Sequence, residues 1–214
     1  MSPNDPEIIA ALSEQLLAWR TSLDGGAKRV GWKIGLNVPD IQRKLGLRES
    51  VIGHLTTASQ LEDGASYSAG AAVDLRVEPE VALHMGAGGA VAGYGPAIEV
   101  VDPGDPPPDA TGIVAGNVFH RAFLLGPTHA AISPDGTAAE VRVNGERRDA
   151  GEAPGDFADV VELVARLLGD VGEELRDGDV IIAGSLTAPQ PVKAGDEVEA
   201  GLSALGALRL SVVS

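Results

Sequence analysis

The chain has 214 residues, a size suited to one domain or one domain with a small appendage. Hydrophobic residues make up 44% and aromatics only 3%, so Val, Ile, Leu and Ala must fill most of the core. A formal net charge of −15 repels nucleic acid and anionic membranes, and the absence of cysteine excludes disulfides, thiolate metal sites and cysteine nucleophiles.

The opening residues, MSPNDPEIIAAL, have no basic region before an apolar stretch, so no signal peptide is expected. No apolar run approaches the roughly 20 residues that cross a bilayer, and a cytoplasmic location is the default expectation. The acidic balance also constrains the chemistry. An anionic substrate needs a local positive centre on such a surface, and a bound cation supplies one.

In chain order, residues 5–20 carry Ile8, Ile9, Leu12, Leu16 and Leu17 at helical spacing. RVGWKIGL at 29–36 reads as extended, and PDIQRKLGL at 39–47 as a short helix opened by Pro39. A loop-rich stretch is expected over 53–72, then strands at 73–85 and 96–102. PGDPPPDA at 103–110 is a turn or loop, because proline does not serve a sheet interior. The apolar segment 111–126 is broken by Gly116 and Asn117.

Residues 139–148 predict a hairpin turned at Asn144-Gly145. The clearest helix is 156–169, with Asp156 as N-cap and Val160, Val161, Val164, Leu167 and Leu168 facing inward. Strands near 179–184, 196–201 and 206–213 end the chain. The class is α+β with a mostly β core. Residues 1–50 read as a small N-terminal helical and α/β region and 51–214 as the β domain, the two forming one compact unit.

VEPEVAL holds the first candidate site. Residues two apart on a strand face the same way, so Glu78 and Glu80 lie side by side, about 7 Å apart at Cα. Ala82 and His84 continue their face, and Val77 and Val81 mark the opposite, buried one. Glu99 sits among Ile98, Val100 and Val101, where an acid is costly unless paired. Three carboxylates suit a hard ion, Mg²⁺ or Mn²⁺, better than Zn²⁺. The spacing alone leaves open that Glu78 and Glu80 are a solvated face and Glu99 a salt-bridged core residue.

GWKIGLN at 31–37, RVEPEVAL at 76–83 and PAIEVVD at 96–102, in that order, resemble the fumarylacetoacetate hydrolase superfamily. The segment LRDGDVIIAGSLTAPQPVKAGDEVEAGLSALGALRLS at 175–211 is similar to its branch of 2-oxopent-4-enoate hydratases and 4-oxalocrotonate decarboxylases. The resemblance runs from about residue 29 onward. It implies a mixed, strongly curved β-roll with a few peripheral helices, usually as a homo-oligomer, in some cases associated with another enzyme of the same pathway. It implies a Mg²⁺ or Mn²⁺ site at Glu78, Glu80 and Glu99, with Lys33 near the substrate. It also implies a substrate-binding segment at Gly184, Ser185, Leu186 and Thr187, from which Ser185 and Thr187 are the expected contacts.

Two segments depart from that branch. Thr57 stands where it carries an acid, and AGNVFH at 115–120 keeps Asn117, the third expected substrate contact, but has Gly116, Phe119 and His120 in place of an acid and two serines. His120 or His54 is suited to take over acid/base work near neutral pH, against the commoner reading of each as an ordinary core or loop histidine. The expectation is a metal-dependent lyase of aromatic catabolism, a hydratase or decarboxylase acting on a small 2-oxo acid, with Lys33 and His120 as catalytic groups. The alternatives are a 2-oxo acid tautomerase or C–C hydrolase on the same site, a catalytically altered binding or assembly subunit, and a β-rich surface protein whose glutamates do not converge.

Overall fold

The computed structural model describes residues 5–105 and 108–214; positions 106 and 107, inside the expected proline loop, and residues 1–4 lie outside the described residues. Helix α1 (Pro6–Asp24) opens where the Asp5 side chain accepts the Glu7 N–H at 3.1 Å. Its buried stripe is Ile8, Leu12, Leu16 and Trp19. Gln15 lies fully buried on the same face, where Nε2 donates to the carbonyls of Ile52 (3.1 Å) and Val114 (2.6 Å). One side-chain amide thereby ties the first helix to two distant segments that carry site residues.

Strand β1 (Arg29–Gly35) and the short helix α2 (Pro39–Leu45) fall where the sequence places them. The stretch expected to be loop instead holds three strands, β2 (Val51–Thr56), β3 (Gln60–Leu61) and β4 (Ala65–Ser68). Gly53 and His54 interrupt the apolar pattern of β2, and β3 and β4 are too short to carry a period. Strands β5 (Arg76–Met85) and β6 (Val91–Val101) form one long antiparallel hairpin.

Helix α3 (Ala110–Ala115) and strand β7 (His120–Leu125) divide at Gly116 and Asn117, as the sequence suggests. Strands β8 (Ala138–Val143) and β9 (Glu146–Glu152) turn at Asn144 and Gly145, whose φ of 54° and 77° are the positive pair a tight hairpin requires. Helix α4 (Ala158–Asp170) starts later than expected. Phe157 is its N-cap, and Asp156, one residue further out, accepts the Ala158 N–H at 2.8 Å. Strands β10 (Val180–Ile182), β11 (Gln190–Pro191), β12 (Glu197–Leu202) and β13 (Gly206–Val213) complete the chain.

The strands make two mixed sheets. The larger runs β2-β1-β10-β5-β6-β7-β3 with β11 beside β5, and the smaller runs β4-β13-β12-β8-β9. Bulges in the β1–β2, β5–β6, β6–β7 and β8–β9 ladders add the local bend that a curved roll needs. The roll with few peripheral helices is the expected α+β architecture. The sheets pack through Val77, Ile98 and Val100 against Val141, Leu208 and Leu210. A second core joins α1, α3 and α4 to the larger sheet through Leu16, Trp19, Trp32, Val81, Leu83 and Leu168.

Asp179 fastens the start of β1 to the turn that precedes β10. Its carboxylate accepts from Arg29 Nε at 2.6 Å, Trp32 Nε1 at 3.2 Å and the Arg176 N–H at 2.9 Å, while the Arg29 guanidinium lies over Trp19 and Trp32. The parallel pairing of β1 with β10 is held at its edge by this buried charge network. Among the described residues no helix is long and apolar enough to cross a membrane.

Candidate metal centre

The β5–β6 register creates the centre. Glu78 stands directly opposite Glu99, and Glu80 opposite Ala97, so all three carboxylates share one face of the larger sheet. They offer ligand oxygens that lie within 4.8 Å of one another. Ala82, Ala97, Phe123 and Ile182 form a small apolar cluster beside them on that face. The face is therefore not solvated: Glu80 and Glu99 are fully buried, and Glu78 is partly exposed at the cavity above. The reading of these residues as unconnected surface acids is overturned by this convergence.

Each glutamate has a different environment. Glu80 Oε2 accepts the Gly184 N–H at 2.7 Å. Gly184 has φ 96°, a conformation that favours glycine, and a Cβ there would lie 2.4 Å from Asn37 Nδ2. Glu99 Oε1 takes two donors, Lys33 Nζ at 2.6 Å and His120 Nδ1 at 2.7 Å. Glu80 Oε1 and Glu99 Oε2 are buried and have no hydrogen-bond partner among the described residues. Burial, then the Glu99 charge, pushes Glu78 up to about 7, and burial with the charges of Glu99 and Glu78 holds Glu80 well above the usual carboxylate range. Burial also acts to raise Glu99, but Lys33 and His120 together bring it below its ordinary value.

Two buried carboxylate oxygens without donors, in a cluster of three acids, are what a hard divalent cation satisfies. The residues present fit such an ion. Gly184, Ser185, Leu186 and Thr187 follow β10 and stay zipped to β5, with the Ala183 N–H donating to Val81 O and the Leu186 N–H to Pro79 O. Ser185 and Thr187 reach the wall of a cavity of about 690 Å³ that Lys33 and Glu78 also line. Their hydroxyls donate to Thr187 O at 2.8 Å and Ala188 O at 3.2 Å.

The loop after α3 is built differently from its expectation. Asn117, Val118 and Phe119 all have positive φ, 60°, 54° and 66°, a strained run for residues with side chains. It turns the Val118 carbonyl onto Lys33 Nζ at 3.0 Å and sets Val118 and Phe119 in the cavity wall. Asn117 faces the other way and clamps His54, accepting its N–H at 2.7 Å and donating to its carbonyl at 3.1 Å.

A bulge opposite Val101 then swings His120 under Glu99, with Nε2 2.9 Å from Ser59 Oγ. His120 braces Glu99 from behind and is not part of the cavity wall. Thr57 is exposed, bonded through Oγ1 to the Lys28 N–H at 2.9 Å. His54 has a buried Nδ1 with no partner among the described residues, and burial followed by the His120 charge lowers it to about 4. His84 and His129 lie elsewhere, on Thr128 Oγ1 and Leu205 O. Neither Ser59 nor the Val118 carbonyl carries a signal that sequence reasoning could have found.

The model of the fumarylacetoacetate (FAA) hydrolase C-terminal family matches residues 75–213, a stretch that holds all three glutamates and the Gly-Ser-Leu-Thr segment. The chain belongs to this fumarylacetoacetate hydrolase family. Among its relatives, a 4-oxalocrotonate decarboxylase of Pseudomonas sp is 27% identical over 94% of this chain and 85% of its own length. A 2-hydroxyhexa-2,4-dienoate hydratase of Comamonas testosteroni is 28% identical over 96% of this chain and 87% of its own. The fold is that of the 4-oxalocrotonate decarboxylase from Pseudomonas putida G7, solved with magnesium and adipate, at a TM-score of 0.84 and 23% identity over 93% of this chain and 83% of that one.

Proposed function

We propose that this family member is a divalent-metal-dependent lyase acting on a small 2-oxo acid, a hydratase or decarboxylase of the 2-oxopent-4-enoate or 4-oxalocrotonate type. The observation that carries the reading is the pair of buried oxygens without donors among the described residues, Glu80 Oε1 and Glu99 Oε2, beside Glu78, which lines a cavity. Glu78, Glu80 and Glu99 would hold Mg²⁺ or Mn²⁺. The names of the relatives, a decarboxylase and a hydratase, support the reaction class.

When bound, the cation supplies Lewis-acid polarisation of a 2-oxo carbonyl. The chain's own residues do the rest. Lys33 spends two donors on Glu99 and Val118 O, which leaves its third hydrogen for a substrate oxygen that gains negative charge. Ser185 and Thr187 hydroxyls rotate freely about their C–O bonds, so each can turn from its backbone carbonyl to a substrate carboxylate. His120 and Ser59 keep Glu99 oriented, which makes His120 a positioning residue. Val118 and Phe119 exclude water from one wall.

Thermal unfolding with and without Mn²⁺ or Mg²⁺, and then with oxalate, tests this. A ligand at a hundred times its Kd stabilises by about 2.7 kcal/mol. The metal is expected to raise Tm, oxalate to add to it only with metal present, and Glu80→Ala to abolish both effects. If the wild-type protein responds to neither metal nor oxalate, the reading is wrong.

A further inference from the structure

Outside the glutamates the cavity opens into a chamber whose wall is largely apolar, with Val38, Ile41, Val101, Phe119, Leu186 and Pro189 contributing. Its volume of about 690 Å³ is far more than a chelating carboxylate and 2-oxo group need. Ligand pockets of roughly 300–1,000 Å³ take molecules of drug size.

The charged groups at this end are already engaged. Arg76 Nε and Nη2 hold the Asp74 carboxylate at 2.9–3.1 Å. Asp149 accepts the N–H groups of Ala150 at 2.8 Å and Ala188 at 2.9 Å. Arg76 and Asp149 are the charged groups on this end of the wall, and Asp74, which pairs with Arg76 from outside it, brings the sum of the three to 1 − 2 = −1. Lys33, the other cation on the wall among the described residues, is paired with Glu99 and turns its remaining hydrogen to the 2-oxo end of the substrate, not to the tail. A second carboxylate entering here would lose hydration and meet no free cation in exchange.

Apolar surface, by contrast, is in surplus. Val38 and Ile41 are 51% and 39% exposed, and α2 buries none of its residues. Both side chains border the chamber, so an apolar occupant would remove them from water.

We propose that this chamber binds the uncharged, apolar tail of a 2-oxo monocarboxylic acid and selects against a 2-oxo dicarboxylic acid. The inference rests on the metal and 2-oxo acid reading above and specifies its substrate class. It separates this chain from a site built for substrates with a carboxylate at each end.

The test is calorimetric binding to the full-length protein in saturating Mn²⁺, with 2-oxooctanoate, 2-oxoadipate and oxalate as probes. The tails of both oxo acids are saturated, so water addition does not complicate the titration. 2-Oxooctanoate is expected to bind at least about tenfold tighter than 2-oxoadipate, the scale on which apolar pockets discriminate. Ile41→Lys, on the exposed side of α2, is expected to shrink that ratio or reverse it.

Equal or tighter binding of 2-oxoadipate by the wild-type protein overturns the proposal. So does a ratio that Ile41→Lys leaves unchanged. Oxalate separates the two levels of the argument. Oxalate binding without the tail preference sinks the tail subsite alone, and absence of oxalate binding sinks the 2-oxo acid reading and the subsite together.

Discussion

Lys33 Nζ lies 2.6 Å from Glu99 Oε1, and both side chains are buried. The same oxygen receives His120 Nδ1, while Glu99 Oε2 receives no donor among the described residues. Glu99 is thus divided into an anchored oxygen and a presented one. Removing one partner from a buried pair leaves the other charge unmatched, at a cost of about 3–5 kcal/mol. Lys33→Met is expected to lower metal-free stability on that scale in urea unfolding. Saturating Mn²⁺ should restore part of the loss, because the cation takes over neutralisation of Glu99.

Glu80 should behave in the opposite sense. Burial and two neighbouring carboxylates disfavour its charge, and Oε1 is without a donor among the described residues. A site of this kind trades stability for function. Glu80→Gln removes the charge and keeps the shape. It is expected to raise the Tm of the metal-free protein, by about 2–4 °C for each kcal/mol of relieved repulsion in a chain of this size, and to abolish the metal-induced shift. A metal-free Tm below that of the wild type would show that the cluster is not electrostatically strained.

Much of this site was legible in the sequence, for identifiable reasons. The period of two placed Glu78 beside Glu80, and the cost of an acid in an apolar run singled out Glu99. The order of three short motifs gave the family and with it the roll. What stayed hidden depends on register and on backbone geometry that composition does not encode. The direct Glu78–Glu99 pairing follows from where the β5–β6 hairpin turns. His120 reaches Glu99 only because a bulge shifts the β6–β7 ladder, and Asn117 turns away because three consecutive residues adopt positive φ. Ser59 sits in a segment read as loop, with nothing in its neighbours to mark it.

The metal response should depend on pH. Glu78 is held at about 7 against an ordinary value of 4.5, and Glu80 is shifted in the same direction. A carboxyl raised on folding contributes stability that is complete below its unfolded value and is lost as pH rises through the folded one. The metal-free protein therefore loses this contribution between about 4.5 and about 7. Metal binding requires the ionised forms, so the Tm gain from Mn²⁺ should be small near pH 5 and grow as pH rises through about 7. Taking the difference between loaded and metal-free samples removes the opposing effect of His54, whose lowered value makes stability rise with pH in both. A pH-independent Mn²⁺ increment would contradict this account.

His120 provides a test of positioning. Partners that orient a ligand carboxylate typically contribute 10–100-fold to metal affinity. His120→Ala is expected to weaken Mn²⁺ binding by about that factor in calorimetry, and Ser59→Ala by less, since Ser59 acts through the histidine. His120→Asn, which retains a donor, should recover part of the affinity. If His120 were a direct proton donor to substrate, the variants would change turnover while leaving Mn²⁺ affinity intact.

Gly53 tests how closely the lysine is packed. It stands opposite Lys33 in the β1–β2 ladder, and a Cβ there would lie 2.8 Å from Lys33 Cγ and 2.7 Å from Asn117 Oδ1. Neither neighbour has room to yield cheaply. Lys33 is pinned by Glu99 and Val118 O, and Asn117 by both backbone groups of His54. Gly53→Ala is therefore an overpacking change in a filled site, worth about 1–3 kcal/mol of destabilisation. The displacement it forces falls on the lysine that anchors Glu99, so Mn²⁺ affinity should drop together with Tm. A variant with wild-type Tm and wild-type Mn²⁺ affinity would mean that Lys33 can move without disturbing the centre, and the anchoring role assigned to it would have to be given up.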